Sequence, residues 1–91
     1  MRRAAKRDYA EAEIVNTLHE LKATVFRLNQ PVDIIIGYRG RTVLAEIKTG
    51  KGKLNENQIK FIQRWNGGDI PILRNSDDAI NLITTWEQRW A

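Results

Sequence analysis

The order of apolar and polar positions divides the chain into alternating helical and extended segments. From Asp8 to Lys22 the apolar residues Ile14, Val15, Leu18 and Leu21 recur at the spacing of one helix face. Thr24 to Leu28, TVFRL, is a short β-prone run. VDIIIGY and RTVLAEIK flank Arg39-Gly40 and read as a β-hairpin, although Arg-Gly is a weaker turn dipeptide than Asn-Gly. After TGKGKL, Asn55 starts a second helix, with Ile59, Phe61, Ile62 and Trp65 at helical spacing and Gly67-Gly68 as its stop. IPIL is a further strand, whose Pro71 suits a sheet edge or a strand start. Ser76, ahead of Asp77 and Asp78, is the expected N-cap of a last helix through Ala79, Ile80, Leu82, Ile83 and Trp86.

The predicted order is therefore helix-strand-strand-strand-helix-strand-helix, without repeat, linker or low-complexity segment. A β-meander separated by a helix from a later strand predicts a mixed sheet flanked by helices, an α/β fold. Ninety-one residues make one domain with a thin core, burying only about 60–65% of the unfolded surface. In such a core the helical pair Trp86 and Trp90 either packs inside or forms a partner surface.

Composition narrows the chemistry. The chain has no cysteine and a single histidine, His19, which excludes disulfides, thiolate catalysis, cysteine-ligated zinc, multi-histidine metal sites and most Ser-His-Asp schemes. Carboxylates, lysines and amides remain. Apolar runs reach only the length of Ile34-Ile35-Ile36, and no apolar stretch follows the basic N-terminus. No signal peptide, bilayer span or membrane partner is expected, and the expected location is the cytoplasm.

The formal net charge is +4, from 15 basic and 11 acidic residues. Residues 1–7 carry Arg2, Arg3, Lys6 and Arg7 and no acid, so the remaining body, residues 8–91, is formally neutral. The excess thus reads as a basic N-terminal arm, suited either to a polyanionic partner such as DNA or to solubility.

The hairpin concentrates the rest of the candidate chemistry. A turn centred between Arg39 and Gly40 sets Tyr38 against Arg41, Ile36 against Val43 and Asp33 against Glu46. Directly opposed residues have Cβ atoms about 4.5–5.5 Å apart. Glu46 and Lys48, two residues apart, share a face, so Asp33, Glu46 and Lys48 form a cluster at the end of the hairpin away from the turn. Opposed carboxylates repel unless a cation lies between them, and a hard divalent ion suits oxygen ligands. The competing reading is an exposed charge ladder neutralised by Lys48. On the first helix Glu11 falls within the apolar stripe, whereas Glu13 points away. Glu11 is therefore either paired or metal-bound, or a rim residue reaching water.

Asp33, a hairpin and then Glu46-Ile47-Lys48 resemble the PD-(D/E)XK nuclease signature, and the predicted element order resembles the restriction-endonuclease-like core. More closely, Glu11-x-x-Ile14, VDIIIGYRGR, LAEIKTG, LNENQ and PILRNSDDAINLI resemble small stand-alone VRR-NUC domain proteins of phage type over almost the whole chain. The resemblance departs at Pro31-Val32-Asp33, where Val32 interrupts the Pro-Asp pair and Gln30 replaces a glycine. It implies that Asp33, Glu46 and the carbonyl of Ile47 bind Mg²⁺ or Mn²⁺ and that Lys48 is the catalytic lysine. It also implies that Glu11 is a helix-borne acid and that Gln58 belongs to the active site.

Asn55-x-x-Gln58 also fits a capping box, so Gln58 is open to a capping role, an active-site role or both. Thr49-Gly50-Lys51-Gly52-Lys53 lacks the Walker A spacing, so no nucleotide cofactor is expected, but Lys51 and Lys53 suit phosphate contacts beside Lys48. His19 is expected to be structural or at the surface. Gly37, within a strand, marks a bulge or a close backbone approach.

The resulting expectation is a metal-dependent DNA endonuclease, by resemblance selective for branched DNA in the manner of Holliday-junction resolvases and acting as a homodimer. Its rivals are a non-catalytic nucleic-acid-binding module using the arm and Lys51/Lys53, and a structural domain using the tryptophan surface.

Overall fold

The structure is a computed structural model. It describes the backbone of residues 2–28, 30–48 and 52–90, and the side chains of residues 11–28, 30–48 and 52–86. The elements follow the expected order: α1 (Arg2–Glu20), β1 (Thr24–Arg27), β2 (Ile34–Tyr38), β3 (Arg41–Ile47), α2 (Glu56–Arg64), β4 (Ile72–Leu73) and α3 (Ser76–Trp90). Together they form a small α/β domain with a mixed four-stranded sheet in the order β1-β2-β3-β4.

β1, β2 and β3 are an antiparallel meander, and β4 lies parallel to β3. The β2–β3 register pairs Tyr38 with Arg41, Ile36 with Val43 and Ile34 with Ala45, as the turn position requires. Arg39 and Gly40 have φ of +51° and +80°, the left-handed backbone that a two-residue hairpin turn demands at both central positions. The ladder runs through Gly37 without a bulge. Beside β3, the N–H groups of Glu46 and Lys48 donate to Pro71 O at 3.0 Å and Leu73 O at 3.1 Å. Pro71 has no N–H to continue the pairing, which matches a short edge strand that begins just after it.

One face of the sheet carries the core. Side chains alternate along strands, so Ile34, Ile36 and Tyr38 of β2 join Ala45 and Ile47 of β3 on that face. They pack with Ile14, Val15 and Leu18 of α1 and with Ala79, Ile83 and Trp86 of α3. α1 and α3 also touch each other across this layer, and Thr17 Oγ1 donates to Ser76 Oγ at 3.0 Å between them. Trp86 is buried and its ring stacks with that of Tyr38, centroids 6.2 Å apart, so this tryptophan belongs to the core rather than to a partner surface. The side chain of Trp90 lies outside the described residues. α2 contains no fully buried residue.

Several boundaries differ from expectation for local reasons. α1 begins at Arg2 rather than at about Asp8, and Arg, Ala and Lys are strong helix formers. α1 ends at Glu20 because Lys22 turns left-handed (φ +76°), with Ala23 N–H donating to Leu18 O at 3.0 Å and Lys22 N–H to His19 O at 2.9 Å. This is the Schellman pattern with a lysine in the usual glycine position. α2 stops at Arg64 with Trp65 as an extended C-cap, before Gly67 is reached. At α3 the expected cap, Ser76, is replaced by Asn75, whose Oδ1 accepts the Asp78 N–H at 2.8 Å, leaving the serine hydroxyl for Thr17.

Candidate active site

Asp33 lies one residue before β2, so its side chain is not tied to a ladder position. Its main-chain carbonyl still accepts the Leu28 N–H at 2.7 Å, extending the β1–β2 pairing. Its carboxylate reaches across to β3, where Oδ2 accepts the main-chain N–H of Ile47 at 2.8 Å. That bond seats Asp33 against the peptide joining Glu46 to Ile47, on the side of β3 that faces β2.

Glu46 sits on the opposite sheet face from the core and is fully buried, the one charged side chain among the buried residues described. A buried carboxylate needs hydrogen-bond donors, because desolvation otherwise makes its charge costly. One donor comes from α2: Gln58 Nε2 donates to Glu46 Oε1 at 3.0 Å. The same glutamine completes a capping box with Asn55. Asn55 N–H donates to Gln58 Oε1 and Gln58 N–H donates to Asn55 Oδ1, each at 2.8 Å. Gln58 therefore serves both as helix cap and as partner of Glu46.

Lys48 follows at the carboxyl end of β3, half-buried, with its N–H on Leu73 O. Lys48 is thus at the carboxyl ends of the parallel pair β3 and β4, next but one to Glu46, where open α/β sheets commonly bind ligands. Arg74, just past β4, donates from Nη1 to Gly52 O at 2.8 Å. Its own N–H donates to Asp78 Oδ2 at 2.8 Å at the start of α3. Lys53 is exposed. Thr49, Gly50 and Lys51, and the side chains of Arg2, Arg3, Lys6 and Arg7, lie outside the described residues.

Glu11 approaches the same end of the sheet from the other face. Its Oε2 is 3.5 Å from Arg27 Nε, and Arg27 is the register partner of Ile34, next to Asp33. Glu11 is thereby paired with a cation on the α1 side, while Glu46 faces α2. Among the described residues no group of three or more carboxylate or imidazole side chains that could hold a metal ion is present. His19 is exposed in the last turn of α1, away from this cluster.

Asn55 and Arg74 were not assigned to the site from sequence. Asn55 carried a capping signal only, and the Arg74–Gly52 contact spans 22 positions with no local pattern to announce it. Val32, which separates Pro31 from Asp33, is 2% exposed and fills the core. Comparison with family models, curated proteins and solved structures found no match. Among the described residues no helix is long and apolar enough to cross a membrane.

Proposed function

We propose that this chain is a metal-dependent endonuclease that hydrolyses phosphodiester bonds in DNA. The observation that carries the reading is the seating of Asp33 on the Ile47 N–H beside a buried Glu46, with Lys48 one alternation further along the same strand. A charge ladder on a solvated strand leaves its carboxylates in water; here one is enclosed and both are held by protein donors.

The donor set fits a hard divalent cation. Asp33, Glu46 and the carbonyl of Ile47 offer oxygen only, and two carboxylates are a sufficient protein contribution for an ion such as Mg²⁺ or Mn²⁺, which keeps several waters. When bound, the ion supplies a bound water of lowered pKa and charge neutralisation at the scissile phosphate. The Lys48 ammonium orients the attacking water and offsets negative charge gathering on the phosphate oxygens. Gln58 holds Glu46 in place. Lys51, Lys53 and the basic residues Arg2, Arg3, Lys6 and Arg7 bind DNA phosphates. Glu11 contributes at most through its charge at the sheet end, since Arg27 holds it.

The finer reading, a VRR-NUC-like enzyme of the PD-(D/E)XK class acting on branched DNA, rests on the sequence resemblance together with the matching element order. One such site cuts one strand, so cleavage of both strands calls for a symmetric homodimer.

The test is incubation of the purified chain with branched, flapped and linear DNA in Mg²⁺, Mn²⁺ or EDTA, beside Asp33→Asn and Lys48→Ala. Metal-dependent cleavage lost in both variants is the expected result. Metal-independent binding with no cleavage by the parent would sink the proposal in favour of a nucleic-acid-binding module. Cleavage that persists in Asp33→Asn would show the site to be elsewhere.

A further inference from the structure

We infer that Asn55 is a positioning residue for the Glu46 carboxylate, acting through the side-chain amide of Gln58. The inference rests on the reading of Glu46 as an active-site acid, and it adds a residue for which neither motif nor composition gives a role beyond capping.

A glutamine amide has two unlike ends: its oxygen accepts and its nitrogen donates. In Gln58 both ends are used. Oε1 takes the Asn55 main-chain N–H at 2.8 Å, and Nε2 gives to Glu46 Oε1 at 3.0 Å. Turning the amide over would set NH₂ against N–H and oxygen against carboxylate, losing both bonds and creating two repulsions. The polarity of the amide is therefore dictated by the capping box. Asn55 Oδ1, accepting the Gln58 N–H at 2.8 Å, fixes the box from the other side.

The consequence reaches the enclosed acid. Glu46 is on the inner strand β3, so the donor must be brought to it. That donor comes from a helix with no fully buried residue, whose Gln58, Phe61 and Ile62 are only half-buried. With so little packing on α2, the cap is what holds Gln58 at its address. Loss of the Asn55 side chain removes the acceptor of the Gln58 N–H, loosens the first turn of α2 that holds the Gln58 amide against the Asn55 N–H, and leaves the Glu46 carboxylate less constrained. Outer partners of this kind typically change metal affinity or activity by 10–100-fold when removed.

The experiment compares the full chain with Asn55→Ala and Asn55→Ser. Serine keeps an oxygen able to accept at the N-cap; alanine does not. The first readout needs neither metal nor DNA: hydrogen exchange of the Gln58 side-chain amide, followed by ¹⁵N–¹H NMR. Protection is expected in the parent, its loss in Asn55→Ala, and near-parent protection in Asn55→Ser. The second readout is single-turnover cleavage of DNA at saturating Mn²⁺. The maximal rate is expected to fall by about tenfold in Asn55→Ala with half-saturation for DNA unchanged, and to recover in Asn55→Ser. A residue that merely caps the helix would lower the melting temperature and leave both readouts alone.

Unchanged Gln58 protection in Asn55→Ala overturns the inference. So does lost protection with an unchanged cleavage rate, because the link then has no bearing on the reaction. If the parent cleaves no DNA, the nuclease reading fails by itself, and the exchange measurement still decides whether Asn55 governs the Gln58–Glu46 bond.

Discussion

The Asp33 carboxylate accepts the main-chain N–H of Ile47 at 2.8 Å, across the strand pair and 14 positions along the chain. Through this bond an acid at the mouth of β2 is held by the backbone of the strand that carries Glu46. Charge and hydrogen bonding at Asp33 can consequently be separated by mutation.

Asp33→Asn keeps an oxygen for the Ile47 N–H while removing the charge. Thermal stability close to the parent is expected, with DNA cleavage reduced by roughly 10²–10³-fold, as for loss of one key electrostatic group. Asp33→Ala strips the acceptor as well and should cost a further ~1–3 kcal/mol of stability. Denaturant unfolding beside a cleavage assay distinguishes the two variants.

Glu46 is enclosed, and enclosing a charge costs free energy that a bound cation offsets. Mn²⁺ at a hundred times its dissociation constant should stabilise the parent by about 2.7 kcal/mol. In Glu46→Gln that response should vanish, while stability without metal should equal or exceed that of the parent, because a neutral amide can still accept from Gln58. Melting curves with and without Mn²⁺ check both statements.

Glu11 and Arg27 form a pair in which Arg27 is half exposed, at 52%. Such pairs are worth roughly 0.2–1 kcal/mol, so Glu11→Gln should leave stability within that margin. Its effect on cleavage should be smaller than that of Asp33→Asn, since Glu11 is paired with Arg27 whereas Asp33 is seated on the Glu46–Ile47 peptide. Parallel rate measurements on the two variants decide it.

Deleting residues 1–7 removes Arg2, Arg3, Lys6 and Arg7. If all four contact phosphates, the slope of log binding constant against log salt should flatten by up to about 3.6, with the cleavage rate at low salt retained. An unchanged slope would show that the first turns of α1 do not touch DNA.

Trp86 joins α3 to the core face and stacks on Tyr38. Trp86→Ala should destabilise the domain by about 3–5 kcal/mol, a loss visible as non-cooperative or low-temperature unfolding. Were Trp86 a partner-binding residue instead, the variant would keep its melting temperature.

Much of this molecule was written in local pattern. Element order, the hairpin register and the capping box depend on neighbours a few residues apart, and a period of two or of about 3.6 records such relationships directly. The sharing of a strand end by Asp33 and Glu46 follows from the turn at Arg39-Gly40, because one turn sets the whole ladder. The tertiary structure decided what that placement means. Whether Glu46 is wet or enclosed depends on α2 folding back so that Gln58 meets it; whether Glu11 joins the acids depends on Arg27, which claims it from the other face. At the α3 cap both Asn75 and Ser76 satisfied the local rule; Asn75 Oδ1 takes the Asp78 N–H, and the Ser76 hydroxyl accepts from Thr17 of α1, 59 positions away. Hydrophobic and polar spacing is a one-dimensional record of faces. Which faces meet, and which buried charge finds a donor there, is settled only when distant segments close on each other.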